Sequence, residues 1–107
     1  MYYIERDIEF VNGIEKISYG FHFISRFQVD YVNTKIEMQI SSSINREVWE
    51  KNNYSSPMVN FFELDKVPEF SEDPISFMLR TLVTLPSTVF YNSEVKKDYS
   101  LNILNRK

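Results

Sequence analysis

Ile17, Tyr19, Phe21, Phe23, Phe27, Val29 and Tyr31 fall at every second position of one stretch, interrupted only at Ser25. A side-chain period of two belongs to an extended strand, because successive residues point to opposite faces. The stretch has a turn signal at each end. Before it stands Asn12-Gly13, the strongest short hairpin signal, since a type I′ turn needs positive φ at both central residues. Taken as a two-residue loop, it sets Ile8 opposite Ile17, Arg6 opposite Tyr19, Ile4 opposite Phe21 and Tyr2 opposite Phe23, all on one side. On the other side Glu9 meets Lys16, Asp7 meets Ser18 and Tyr3 meets His22. This register sorts apolar from polar and pairs opposite charges, and a one-residue slip would undo both.

At the far end, Asn33-Thr34 sets Tyr31 opposite Ile36, Val29 opposite Met38, Phe27 opposite Ile40 and Gln28 opposite Gln39. Here Asp30 meets Glu37, a like-charge pair, and Thr resists positive φ. A slightly longer loop would relieve both. Three antiparallel strands are expected, at about 2–11, 14–31 and 35–41, with sheet edges at 1–10 and 35–41. A straight middle strand would span roughly 55–60 Å at about 3.3 Å per residue, too long for a small domain. A bulge or bend is therefore expected at Gly20 or Ser25. Otherwise the ribbon projects from the domain or is covered by another chain.

The polar segment after Ile40 carries Ile44, Val48 and Trp49 as anchors, and Ser43 or Asn45 is placed to cap a short helix running through Asn52. "MVNFFEL" predicts a fourth strand at 58–64, with Met58, Asn60 and Phe62 on one side and Val59, Phe61 and Glu63 on the other. The firmest helix is 74–85. Asp73 caps it, Pro74 takes the first helical position, and Ile75, Met78, Leu79, Leu82 and Val83 form its core stripe. Residues 87–98 fit either a second short helix or a strand. The expected fold class is α+β: an antiparallel β-meander packed with one main helix, in a single domain over 1–98, followed by a flexible tail at 99–107.

Composition closes several routes. The chain has nine Phe, seven Tyr and no Ala among 107 residues, which favours strands over helices. It has no cysteine, so disulfides, thiolate metal sites and cysteine nucleophiles are excluded. Net charge is −3 without a basic block, so nucleic-acid backbone binding is not expected. No apolar run is long enough to span a bilayer, and residues 1–25 lack a secretory pattern. A soluble, cytoplasmic product is the expectation.

No residue pattern names a reaction. The one histidine, His22, has Tyr3 across the strands and Gly20 and Ile24 along its face as expected neighbours, and fits a structural or exposed role better than a catalytic one. No calcium loop, phosphate loop or serine elbow is present. No catalytic residue, metal ligand or cofactor is therefore assigned. Trp49, Tyr54, Phe61 and Phe62 form an expected aromatic cluster after the meander, either core or interface anchor. Arg26 and Gln28, with Gln39 and Ser41, line the polar face of the second hairpin.

The stretch "RFQVDYVNTKIEMQISSSINREVWEKN", residues 26–52, resembles small proteins of tailed bacteriophages and prophages encoded near tail or tail-fibre genes. The likeness rests on strand, Asn turn, strand and the polar "INREVWEKN" segment, and it brings no catalytic residue. It implies a non-enzymatic structural or assembly protein acting through β-sheet contacts with protein partners, with itself as one candidate and as a virion component. The alternative is a small acidic inhibitor or adaptor bound to one host protein, such as a nucleic-acid enzyme.

Overall fold

In the computed structural model, which describes residues 1–12, 14–52 and 58–97, the apolar ribbon is β2 (Glu15–Asp30), flanked by β1 (Tyr2–Asn12) and β3 (Lys35–Ser43). The chain continues through α1 (Arg46–Lys51), β4 (Met58–Leu64), α2 (Pro74–Leu82) and β5 (Val95–Lys97). The strands form one antiparallel sheet in the order β4-β3-β2-β1-β5. With its two short helices the fold is α+β. Tyr54, Gly13 and the expected tail at 99–107 lie outside the described residues.

β2 does not run straight. A straight strand of its 16 residues would need roughly 50 Å, yet the longest dimension of the molecule is 38 Å. Both expected bend points are used. At Ser25 one extra β2 residue enters the β3 ladder, between the pairs Ile24–Ile40 and Arg26–Gln39. At Gly20 the extra residue lies instead on β1, where three steps from Glu5 to Ile8 match two from Phe21 to Tyr19. Gly20 admits this crowding because it has no side chain. Its N–H donates to the Ile44 carbonyl at 2.9 Å, and an added Cβ would lie 2.6 Å from Asp7 Oδ1 and 3.0 Å from Ile44 O.

The bulge corrects the first register. Asn12 pairs with Glu15 and so belongs to the strand and not to a two-residue loop; Phe10 then meets Ile17, and Ile8 meets Tyr19. This register stacks Phe10 near Tyr19, with ring centroids 5.8 Å apart, and leaves Ile14 fully exposed at the tip. Beyond the bulge Ile4 meets His22 and Glu5 meets Phe21, where the sequence pattern set Ile4 against Phe21. Glu9 faces Ser18, and Lys16 reaches it diagonally at 3.7 Å.

The second hairpin is also two residues out of the expected register, for a reason already visible in its charges. Asp30 pairs with Lys35 instead of Glu37, Val29 with Ile36, Phe27 with Met38, and Gln28 with Glu37. The loop is thus four residues, Tyr31 to Thr34. Asp30 closes it by accepting from the backbone N–H of Val32 and Asn33 at 3.0 and 3.1 Å and from Asn33 Nδ2 at 2.8 Å. Thr34 takes positive φ of 53°.

Two hydrophobic clusters result. The larger holds Ile4, Ile8, Ile24, Ile36, Met38, Ile40 and Leu64 of the sheet with Met78, Leu79, Leu82 and Phe90. The smaller holds Tyr3, Phe21 and Phe23 with Trp49 of α1. Phe21-His22-Phe23-Ile24 is buried throughout, so the centre of the ribbon is covered by the chain's own elements. Each large apolar side chain so buried contributes about 1.5–3 kcal/mol before conformational entropy is counted.

Asp73 caps α2 by accepting from the N–H of Ile75 and Ser76, with Pro74 at the start. The helix ends at Leu82, short of the expected 85. The chain tightens there into i→i+3 bonds, Thr84 N–H to Thr81 O and Leu85 N–H to Leu82 O, both 3.1 Å. Asn92, at φ 65°, then donates to Val83 O. The following turns bury Phe90 and lead into β5, which pairs Val95–Lys97 with Tyr2–Ile4. Of the expected edges, that at 35–41 is corrected, since β4 covers β3 from Ile36 to Ser42, and that at 1–10 holds only in part, since β5 covers Tyr2–Ile4 and leaves the rest of β1 with no described strand on its outer side. A different edge appears. β1 pairs with β2 only as far as Ile4–His22, so Arg26–Asp30 has β3 on one side and no described strand on the other.

Candidate protein-contact surface

α1 is held over one end of the sheet by short-range signals. Asn45 Oδ1 accepts from Val48 N–H at 2.8 Å, and Lys51–Glu47 and Arg46–Glu50 pair one turn apart at 2.8 and 3.3 Å. The helix plants Trp49 on Phe21 and Phe23 at centroid separations of 4.9 and 5.0 Å, and Arg46 lies over the Tyr3 ring. It reaches no further. The outer half of the same sheet face, carried by β2, β3 and β4, stays open.

The ladder orders that open half into rows. Arg26, Gln39 and Phe61 stand side by side, and Gln28, Glu37 and Glu63 form the next row. Together with the backbone of the strands they line a shallow groove of about 510 Å³. Neighbouring strands lie about 4.8 Å apart, so Arg26 and Phe61 start roughly 10 Å apart with the Gln39 carboxamide between them. Ser25, the bulge residue, anchors that carboxamide. Its Oγ accepts from Gln39 Nε2 at 2.9 Å and from Ser41 Oγ at 2.7 Å. Lys35 bridges Glu37 at 3.2 Å and Glu63 at 3.5 Å, and these two carboxylates hold its ammonium above the usual lysine range, the hydrogen bond to Glu37 contributing most. Asp30 sits below the ordinary carboxylate range, chiefly through the Asn33 side chain.

Arg26 makes no ion pair or hydrogen bond with any described residue, and Phe61 is 76% exposed. The groove thus presents an uncommitted guanidinium, a positioned carboxamide, a free phenyl ring and two carboxylates that share one lysine. Such groups hydrogen-bond and stack; they hold no nucleophile beside a base. Arg26, Gln28 and Phe61 share this surface, although the sequence pattern placed Phe61 with the aromatic cluster and Arg26 and Gln28 on the polar face of the second hairpin. The expected aromatic cluster is not one cluster. Trp49 is buried, and Phe62 lies on the opposite face against Phe90 at 5.7 Å. Alternation along β4 separates Phe61 from Phe62.

Two further features were missed in sequence. Phe70, 88% exposed, stacks on Tyr31 at 4.6 Å beside Val32 at the hairpin end. Lys35, Glu37 and Glu63 join the groove only through the register of β3 with β4. An aromatic inside the acidic loop "PEFSED" was the one available signal for Phe70.

His22 is fully buried and fully satisfied. A carbonyl oxygen only accepts, so Nε2–H donates to Arg6 O at 2.9 Å, and Nδ1 accepts from Ser42 Oγ at 2.6 Å. Burial lowers its pKa from the ordinary 6.5, against opposing contacts with Arg6, Tyr19 and Asp7. Phe90 packs on its edge at 5.0 Å. Ser42 is equally buried, so this pair ties strands together beneath Phe90. Among the described residues no group of three or more His, Asp or Glu is placed to hold a metal ion, and no helix is long and apolar enough to cross a membrane.

A scan against protein-family models found no match to this chain, and searches of curated proteins and of solved structures found none either.

Proposed function

We propose that this protein is a non-enzymatic structural or assembly protein that binds a protein partner through the open half of its sheet. The observation that carries the reading is the pairing of an uncommitted Arg26 with a 76% exposed Phe61 on one flat face, beside a core whose own aromatics are covered. Aromatic and arginine side chains on a rigid sheet are the residue types that dominate contact energies between proteins. The stretch resembling phage tail-region proteins, 26–52, supplies the outer half of β2 and all of β3, two of the three strands that carry this surface, while Phe61 comes from β4 outside it. That coincidence supports an assembly role of phage or prophage origin.

The test is a double substitution, Phe61→Asp with Arg26→Glu. Both side chains are exposed, so thermal unfolding should stay within a few degrees of wild type. In its native cells the variant should lose the partner that the wild-type chain holds at fixed stoichiometry. A variant that keeps that partner contradicts the reading. The second reading, an acidic inhibitor or adaptor of one host protein, draws on the net charge of −3 and on the self-covered ribbon. A one-to-one complex with a single nucleic-acid enzyme, and loss of that enzyme's activity, would select it.

A further inference from the structure

The free edge of β2 has a chemistry of its own, separate from the face beside it. Its residues Arg26-Phe27-Gln28-Val29-Asp30 run cation, apolar, amide, apolar, anion. The stretch has β3 on one side and no described strand on the other, and it lacks the proline or glycine that would blunt an edge. We propose that two copies of this chain pair antiparallel along Arg26–Asp30, about a two-fold axis passing at Gln28, to join their sheets into one.

The sequence of the edge selects this register. With the axis at Gln28, Arg26 of each copy faces Asp30 of the other, Phe27 faces Val29, and Gln28 faces itself. A closed two-fold contact of this kind repeats every favourable pair twice. Moving the axis to Phe27 sets Asp30 against Ile24, and moving it to Val29 sets Arg26 against Val32. Neither leaves a charge pair. Neither charge is held in an ion pair by another described residue. Arg26 makes no ion pair with any described residue. Asp30 keeps its carboxylate fixed by three loop hydrogen bonds, while Lys35, its neighbour on β3, is taken by Glu37 and Glu63. Phe27, 41% exposed at the edge, gains cover from Val29 of the second copy. The open face is left uncovered, so the pairing goes beyond the partner-binding reading; Arg26 serves both, and Phe61 serves the face alone.

The chain has no cysteine, so Gln28→Cys introduces a single thiol on the axis. Light scattering over a concentration series should show a monomer–dimer equilibrium. A short bis-maleimide should then link Gln28→Cys into a covalent dimer much faster than it links Glu47→Cys, an exposed control on α1. Arg26→Glu places like charges opposite each other twice and should weaken the dimer about tenfold or more. A monomer at every concentration overturns the proposal. So does a dimer in which Gln28→Cys links no faster than the control, or one that Arg26→Glu leaves unchanged. Phe61→Asp alone leaves the edge unchanged and so separates the partner test from the pairing, and thermal unfolding of each variant separates lost pairing from lost folding.

Discussion

Replacing Trp49 by alanine asks whether this indole is core or contact, because the two roles differ by several kcal/mol. Trp49 has no exposed surface and lies 4.9 and 5.0 Å from the Phe21 and Phe23 rings. It is the only large side chain that α1 buries. Its removal opens a void that a six-residue helix, held by one cap and two surface ion pairs, has little means to refill. Large-to-small changes of this kind cost about 3–5 kcal/mol, against a total stability of roughly 5–15 kcal/mol for a domain of ordinary size. With an m-value of about 1–3 kcal/mol/M in urea, the unfolding midpoint should fall by roughly 2 M. The readout is far-UV circular dichroism across a urea series, since the variant loses the chain's one tryptophan as a fluorescent probe. Trp49→Phe should lose less, because a ring still meets Phe21 and Phe23. A surface anchor would behave otherwise, with both variants within about 0.5 kcal/mol of wild type. That result would refute the assignment of Trp49 to the core.

Other consequences follow from the bends and the buried polar groups. Gly20→Ala places a methyl against Asp7 Oδ1 and the Ile44 carbonyl and should cost about 1–3 kcal/mol in thermal unfolding; adding Asp7→Ala should recover only part, since the backbone oxygen of Ile44 remains. His22 has a folded pKa below its unfolded value of about 6.5. The unfolded chain therefore takes the proton first, and stability should be full above pH 6.5 and fall as pH drops through it, by at most about 1.4 kcal/mol per pH unit. His22→Asn should remove that slope, and urea midpoints at pH 7.5 and 5.5 read it. Asn45→Ala removes the α1 cap at Val48 and should cost about 0.5–2 kcal/mol by chemical unfolding, with tryptophan emission reporting the loosened Trp49.

The parts of the fold legible in sequence are those where one face is buried and the other is not. β4 alternates along its length and β3 from Lys35 to Ile40, and their faces follow from that alternation. α2 was readable from Asp73-Pro74 and its stripe, and α1 from Asn45. What escaped is the centre of the ribbon. Phe21, His22, Phe23 and Ile24 are all buried, so alternation carries no information there, and Phe21 and Phe23 were grouped with residues of the other cluster. A bulge on β1 at Arg6–Asp7 adds one residue without changing composition, which is why Ile4 meets His22. The like-charge clash of Asp30 with Glu37 was the visible sign that the second register was wrong, and the four-residue loop resolved it. β5 is three residues long with no pattern of its own. Of the contact surface, Arg26, Gln28 and Phe61 were readable as outward-facing residues. Their adjacency was not, because it depends on β4 returning beside β3 after α1.

The most direct test of the central claim is a photo-crosslinking amino acid at position 61, compared with the same group at position 16 on the far hairpin, in the cells where the protein is normally made. The expected result is a discrete adduct of constant mass from position 61 and none from position 16, diminished by Arg26→Glu. Equal or absent crosslinking at the two positions, with the chain folded, would contradict a role carried by the open half of the sheet.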